Sequence, residues 1–308
     1  MRKKMLLLVL AAMLTASACA APKKEITVVI REPGSGTREA FDRTVSDGIH
    51  YLEEYGEDGK RIDRNSVYAI VQTKGGAMLS SVSADRNAIG YLSPSAVNEQ
   101  VRILAINGCY PSEESVRNGS YPLSRPFIVF SNPLPQRSAL CEDFWRYLKS
   151  DRMREHAEEA SCVFLQNAQD RASPGSEPIN VEQFTPLEHL PVGGKVIIRG
   201  STSLEKLILS AAKGYAACYS VDPTDLFDLQ LEGSSVGIRA VLEDRSGNVI
   251  GLSSASVPHP ELERVTVARD ALAVIVHPEN PIQNLSLSQL YAIFSGEIKY
   301  FNRLEGVN

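Results

Sequence analysis

Residues 31–41, REPGSGTREAF, place a glycine- and hydroxyl-rich turn directly after the apolar run Ile26-Thr27-Val28-Val29-Ile30 and directly before a helix-forming stretch. A strand that turns on glycines into a helix leaves backbone N–H groups unpaired at the end where the macrodipole adds roughly half a positive charge. Ser35 and Thr37 add hydroxyl donors, and Arg31 adds a full charge on a forked donor suited to an oxyanion. The unit fits a small tetrahedral anion; the plainer alternative is a βα turn whose Ser and Thr cap the helix. It recurs twice. GSTS (200–203) follows a strand at Lys195–Arg199 and opens a helix at Leu204–Ala217. GSSVG (233–237) follows a strand at Leu226–Leu231 and opens a helix at Ile238–Leu242. Repeated strand–loop–helix units with β-branched strands imply α/β layering, parallel sheets covered by helices. Ligands in such folds sit at the carboxyl ends of strands, where all three loops lie.

The remaining elements keep the same alternation. Val67–Gln72, Ala88–Leu92, Val101–Ile106 and Pro126–Ser131 read as strands, with a helix at Gly75–Ala84. Ser138–Lys149 and Asp151–Ala160 are amphipathic helical segments with Phe144, Tyr147 and Leu148 on one face. Residues 166–194 carry scattered prolines, glycines and acids without periodicity and read as a linker. Strands Val249–Ser253, Val265–Ala268 and Ala271–His277 and a helix at Ser286–Phe294 complete the second half.

Met1-Arg2-Lys3-Lys4 followed by apolar Met5 to Leu14 and Ala16-Ser17-Ala18 reads as a secretory signal over 1–18. Cys19 directly after small residues resembles a lipobox, with Ala16 where an aliphatic is usual. The expectation is therefore a lipid anchor at Cys19, a short tether over 19–25 and a protein on the outer face of the cytoplasmic membrane. Without lipidation the protein would be secreted or periplasmic. The mature chain has about 290 residues, enough for two lobes with their own cores. Removing Arg2, Lys3 and Lys4 from 32 basic residues leaves 29 against 37 acidic ones, a net charge of about −8. That balance argues against nucleic acid or anionic lipid as partner, and any anion must be held by a local site. Cys109, Cys141, Cys162 and Cys218 show no CxxC spacing and no histidine at metal-ligand intervals, so free thiols, no metal and no cofactor are expected.

The chain resembles the PstS-like phosphate-binding proteins of bacterial ABC importers. The stretches that carry the resemblance are ITVVIREPGSGTREAF (26–41), AIGYLS (88–93), YPLSRPFIVF (121–130), GSTS (200–203), GSSVGIRAV (233–241), VIGLSS (249–254), ARDALAVIVHPENP (268–281) and LSLSQLYAIFSGEI (285–298). The resemblance implies a two-lobed type II periplasmic-binding-protein-like clamp, with mixed, mostly parallel sheets and helices on both faces. It implies no enzymatic activity, one inorganic phosphate between the lobes, and an ABC permease as partner. Carried over by position, the phosphate-binding residues are Arg31, Ser35, Gly36 and Thr37 from one lobe and Thr202, Ser203, Ser234 and Ser254 from the other.

The motif order is rotated relative to that family, since the RExGSGTR half comes first and the chain stops where the family would continue into Ile26. The sequence thus reads as a circular permutant, a monomer with lobe two over 26–130 plus 278–308 and lobe one over 131–277. Two mismatched halves completing their sites in trans are the alternative. Ser254 stands where some members carry an Asp that accepts the proton of hydrogen phosphate, and Ala255 where others carry an arginine. Glu32 is the candidate replacement acceptor, or else a salt-bridge partner for Arg38. Arg31 is expected to be the one full positive charge in the site. Phosphate selectivity is expected to persist, though another tetrahedral oxyanion or a sensing role would use the same site. A secreted serine hydrolase is the enzymatic alternative, because Gly233-Ser234-Ser235-Val236-Gly237 fits GxSxG and Asp244 or Asp270 with His277 follows in chain order.

Overall fold

Alternating apolar residues sort most of the described strands into two large sheets covered on both faces, with Ala105–Ile106 against Asn284–Leu285 and Glu53–Tyr55 against Arg61–Asp63 as two further two-stranded pairs. In the computed structural model, residues 25–56, 60–134, 136–165 and 181–304 are described; the signal segment, Cys19 and linker residues 166–180 lie outside them. The strands are β1 (Thr27–Arg31), β2 (Glu53–Tyr55), β3 (Arg61–Asp63), β4 (Ile70–Gln72), β5 (Ala88–Leu92), β6 (Arg102–Ile103), β7 (Ala105–Ile106), β8 (Ser124–Ser131), β9 (Val163–Phe164), β10 (Val196–Gly200), β11 (Phe227–Leu231), β12 (Val249–Ser253), β13 (Glu263–Ala271), β14 (Ala273–Val276) and β15 (Asn284–Leu285). The helices are α1 (Gly36–Asp42), α2 (Gly75–Ala84), α3 (Glu113–Arg117), α4 (Ala139–Lys149), α5 (Met153–Glu159), α6 (Glu205–Cys218), α7 (Pro223–Leu226), α8 (Ser234–Glu243) and α9 (Leu287–Phe294).

One sheet has the order β4-β1-β5-β14-β6 and the other β11-β10-β12-β8-β13-β9. In the first, Val28, Ile30, Ile89, Tyr91, Val274 and Val276 face α1 and α9, while Val29, Ala88, Leu92, Ala273 and Ile275 face α2. This period-2 split is what a strand covered on both sides requires. In the second sheet, Phe127, Val129, Val196, Ile198, Ile250 and Leu252 face α4 and α6, with Ile128, Phe130 and Val249 on the α8 side. Each sheet with its helices forms one lobe.

Parallel pairing joins β1 to β4 and β5, and β10 to β11 and β12. The strands β8, β13 and β14 pair antiparallel, so the sheets are mixed rather than mostly parallel. The physical reason is connectivity: β8 carries the chain from the crossing at Leu123 into one lobe and its neighbour β13 carries it back to the crossing at Leu272, so the two must run antiparallel. The chain passes between lobes at two adjacent points, where Leu272 N–H donates to Leu123 O at 2.7 Å. β8 therefore lies wholly in lobe one and β14 in lobe two, which moves the sequence-drawn boundaries of 130/131 and 277/278 back to 123/124 and 271/273. The described end of the linker is not free chain. Phe184 is buried against the lobe-one core, and its N–H donates to Asp151 Oδ1 at 3.2 Å. The start and end of the described chain touch, with Ile26 N–H donating to Lys299 O at 2.8 Å.

Candidate anion-binding site

The loop after β1 is fixed from both sides. Ser35 Oγ accepts from Arg38 N–H at 3.4 Å, so its hydroxyl serves as the helix cap that the plainer sequence reading foresaw. Arg38 does not meet Glu32. Its guanidinium donates to Asp42 (3.1 Å), Asp63 (2.5 Å) and the Arg31 carbonyl (3.4 Å), tying α1 to β3 and to the end of β1. Burial pushes the Asp42 carboxyl up to about 6, with Arg38 pulling it back. On the sheet side Phe41 stacks on Tyr91 at 3.9 Å between ring centroids, and Tyr91 OH accepts from Arg31 N–H at 3.2 Å. The N-terminus of α1 is thereby held at a fixed angle to the sheet.

The loops of lobe one are locked around Gly200. Its φ of 139° is one that side-chain-bearing residues rarely adopt, and a Cβ there would collide with the Leu252 backbone. Gly200 O accepts from Glu232 N–H (3.0 Å) and Gly233 N–H (2.9 Å), and Ser201 N–H donates to Leu252 O (3.0 Å). The loops after β10, β11 and β12 are consequently one body. Ser254 N–H donates to Ser234 Oγ at 3.3 Å, and the Ser201 and Ser254 hydroxyls lie 2.9 Å apart. Ser201, Ser234 and Ser254 are all buried.

The two lobes meet on these loops. Thr37 Oγ1 lies 2.8 Å from Ser203 Oγ, across 166 residues of sequence. Gly36 sits against Ser234 and Ser254: a Cβ built on it would overlap Ser234 Oγ and stand 2.5 Å from Ser254 Oγ. Thr202 and Ser203 line a cleft of about 530 Å³ with Arg31, Thr37, Lys74 and Lys206. The hydroxyls and α-helix ends predicted from sequence therefore converge from both sides, with Thr202 on the cleft wall.

The charges differ from the sequence expectation. Arg31 is buried and lines the cleft, but it is not the one positive charge there. Its Nε and Nη2 donate to the two oxygens of Glu32 at 2.8 and 2.9 Å, an arrangement available to adjacent residues at the end of a strand. Arg125, in the stretch that carried the family resemblance but not among the site residues, reaches the centre and donates to Thr37 Oγ1 at 2.7 Å. It is held by Asp270, at 2.7 Å from Nη2 and 3.1 Å from Nε. Burial pushes the Asp270 carboxyl up, opposed by Arg125 and by a hydrogen bond from Ser93. The only sequence signal for Arg125 was an arginine at the head of an apolar strand. Lys74 and Lys206 approach from opposite lobes, and neither makes an ion pair among the described residues.

The GxSxG reading finds no triad. Ser235 faces Gly34, Asp270 is taken by Arg125, Asp244 is bonded to the turn at 246–249, and His277 Nδ1 accepts from Glu279 N–H. Among the described residues no group of three His, Cys, Asp or Glu side chains could hold a metal ion, and no helix is long and apolar enough to cross a membrane. The four described cysteines are free thiols, with burial pushing Cys141 up to about 12.

Residues 8–152 and 185–308 match the PBP superfamily domain. The chain is 33% identical over 284 residues to phosphate-binding protein PstS 2 of Streptococcus pneumoniae, covering 91% of this chain and 88% of that protein. The chain belongs to the PstS family. A crystal structure of a phosphate-binding protein of a phosphate ABC transporter from Streptococcus pneumoniae superposes with a TM-score of 0.68 at 29% identity, covering 91% of this chain and all of that one. Another family member, phosphate-binding protein PstS of Bacillus subtilis, is 31% identical over 129 residues only, 42% of this chain and 37% of that protein.

Proposed function

We propose that the protein captures inorganic phosphate in the cleft between its lobes, outside the cytoplasmic membrane, and presents it to an ABC permease. The observation that carries this is the meeting of Gly36 and Thr37 from one lobe with Ser203, Ser234 and Ser254 from the other. Hydroxyls and N–H groups in a water-poor cleft satisfy the oxygens of a tetrahedral anion with few formal charges. Ser35, Gly36 and Thr37 would bind through the N-terminus of α1, with Thr202, Ser203, Ser234 and Ser254 opposite and Arg31 on the cleft wall. Because the anion bridges both lobes, it stabilises the closed clamp through differential affinity, and the permease reads that shape. Binding is reversible and involves no chemistry. The homologues are binding proteins, which supports this reading over a hydrolase.

The same reading includes a monomer, with lobe two built from residues up to 123 and from 273 on, and lobe one from 124–271. The Ile26–Lys299 contact supports a circular permutant relative to members whose chain runs through that junction; PstS 2, aligned with 91% of this chain, shares this chain's order. The short match to the Bacillus subtilis protein beside the long match to PstS 2 supports it as well, because a rotated order lets only one half align. Both halves of the site coming from one chain favours completion in cis. Secretion through 1–18 and lipidation at Cys19 complete the proposal. Equilibrium dialysis of the mature protein with radiolabelled phosphate tests it: one phosphate per chain is expected, and failure to retain phosphate at millimolar concentration refutes it.

A further inference from the structure

Arg125 and Asp270 are register partners on β8 and β13, the strands that carry the chain to and from the crossings between lobes. Just beyond them Leu123 and Leu272 share a backbone hydrogen bond, and Tyr121 OH donates to Leu272 O at 2.7 Å. Arg125 and Asp270 are each 1% exposed. The pair sits on the hinge and touches lobe two at two points: Arg125 Nη1 reaches Thr37 Oγ1 at 2.7 Å, and Asp270 Oδ1 accepts from Ser93 Oγ at 3.0 Å.

A guanidinium has donors only, so Thr37 Oγ1 must accept from Arg125, and the Thr37 proton is committed to its other side. There it meets Ser203 Oγ at 2.8 Å and the cleft. Either hydroxyl can donate across that contact; with Thr37 accepting from Arg125, the arrangement in which Thr37 donates to Ser203 leaves the Ser203 proton to point outward. We propose that the Arg125–Asp270 pair is a positioning element that fixes Thr37 as donor to Ser203, and Ser203 in turn as the hydroxyl donor toward the bound anion, and couples both to the hinge. Arg125 thus acts on the anion through Thr37, while Asp270 holds the guanidinium fork in the one orientation that leaves Nη1 free for this contact. A hydrogen-bond chain of this kind is cooperative, so removing either end disables the other.

This inference rests on the phosphate reading, and a double-mutant cycle separates the two. Phosphate affinity is measured by calorimetry for wild type, Arg125→Gln, Thr37→Val and the double variant, with melting temperatures taken in the absence of phosphate. Each single variant should bind at least tenfold more weakly, and the double variant should be within about twofold of the weaker single one. Multiplicative losses overturn the proposal, because a merely structural Arg125 would act independently of Thr37. Should Arg125→Gln fail to fold, Asp270→Asn replaces it in the cycle with the same expectation. A wild type that binds no phosphate overturns the functional reading itself, and shows this before any variant is made.

Discussion

Gly36→Ala separates closure of the clamp from folding of the lobes. Gly36 is the first residue of α1 with an ordinary helical backbone, so alanine is compatible with the fold and improves helix propensity by up to ~1 kcal/mol. The added methyl points at lobe one. It would overlap Ser234 Oγ and stand 2.5 Å from Ser254 Oγ, where carbon contacts are ordinarily about 3.5 Å. Relief requires the lobes to back off by about 1 Å, or both hydroxyls to rotate away from the position in which they would meet the anion. Overpacking of this size costs ~1–3 kcal/mol, which corresponds to a loss of about 5–150-fold in phosphate affinity. Calorimetric titration measures the loss, and a melting curve without phosphate should show no decrease in stability. Wild-type affinity in Gly36→Ala would refute the placement of the anion between Gly36 and these two serines.

Three further expectations follow from the same geometry. Ser254 is a buried hydroxyl, and Glu32 has both oxygens engaged by Arg31, so sulfate loses about one hydrogen bond relative to hydrogen phosphate. Discrimination should then be near the ~1–3 kcal/mol of a single unsatisfied group, with a thousandfold excess of sulfate displacing phosphate and Ser254→Asp resisting that displacement in competition titrations. Lys74 and Lys206, which make no ion pair among the described residues, present positive charge to the cleft of an otherwise acidic protein; stopped-flow association of phosphate should slow by about tenfold at low salt in Lys74→Gln/Lys206→Gln, with dissociation unchanged. His156, hydrogen-bonded to Tyr147 and Ser210, has its pKa lowered from 6.5 by burial. Below pH 6.5 the unfolded chain therefore binds a proton that the folded one resists, and stability is lost as pH falls through the folded pKa. Melting temperatures from pH 7 to pH 5 should decline less steeply in His156→Gln.

What the sequence revealed was local in origin. The hydroxyl loops at 35–37, 200–203 and 233–235 announce themselves because turn and cap chemistry is written in adjacent residues, and β1, β5 and β12 were legible from β-branched runs. By propensity Ser234–Gly237 is loop ahead of a helix at Ile238, since Ser and Gly are weak helix formers; packing against β10 and β12 extends the helix to Ser234. The Arg125–Asp270 pair depends on a strand register spanning 145 residues, which no local pattern encodes. The hairpin β2–β3, with four of its six strand residues charged and all of β3 exposed, gives no alternation to find, yet it supplies Asp63 to Arg38. The lobe crossings were misplaced because Leu123 and Leu272 are single apolar residues inside runs that look continuous.

Location of the anion tests the central claim most directly. Crystals of the mature protein grown with arsenate, a tetrahedral isostere of phosphate, would show the arsenic as an anomalous scattering peak. The account predicts one peak per chain, within hydrogen-bonding reach of Gly36, Thr37, Ser234 and Ser254. A peak elsewhere, such as in the smaller cavity lined by Arg38, Arg43 and Arg61, would contradict it, as would full occupancy in crystals whose lobes stay apart.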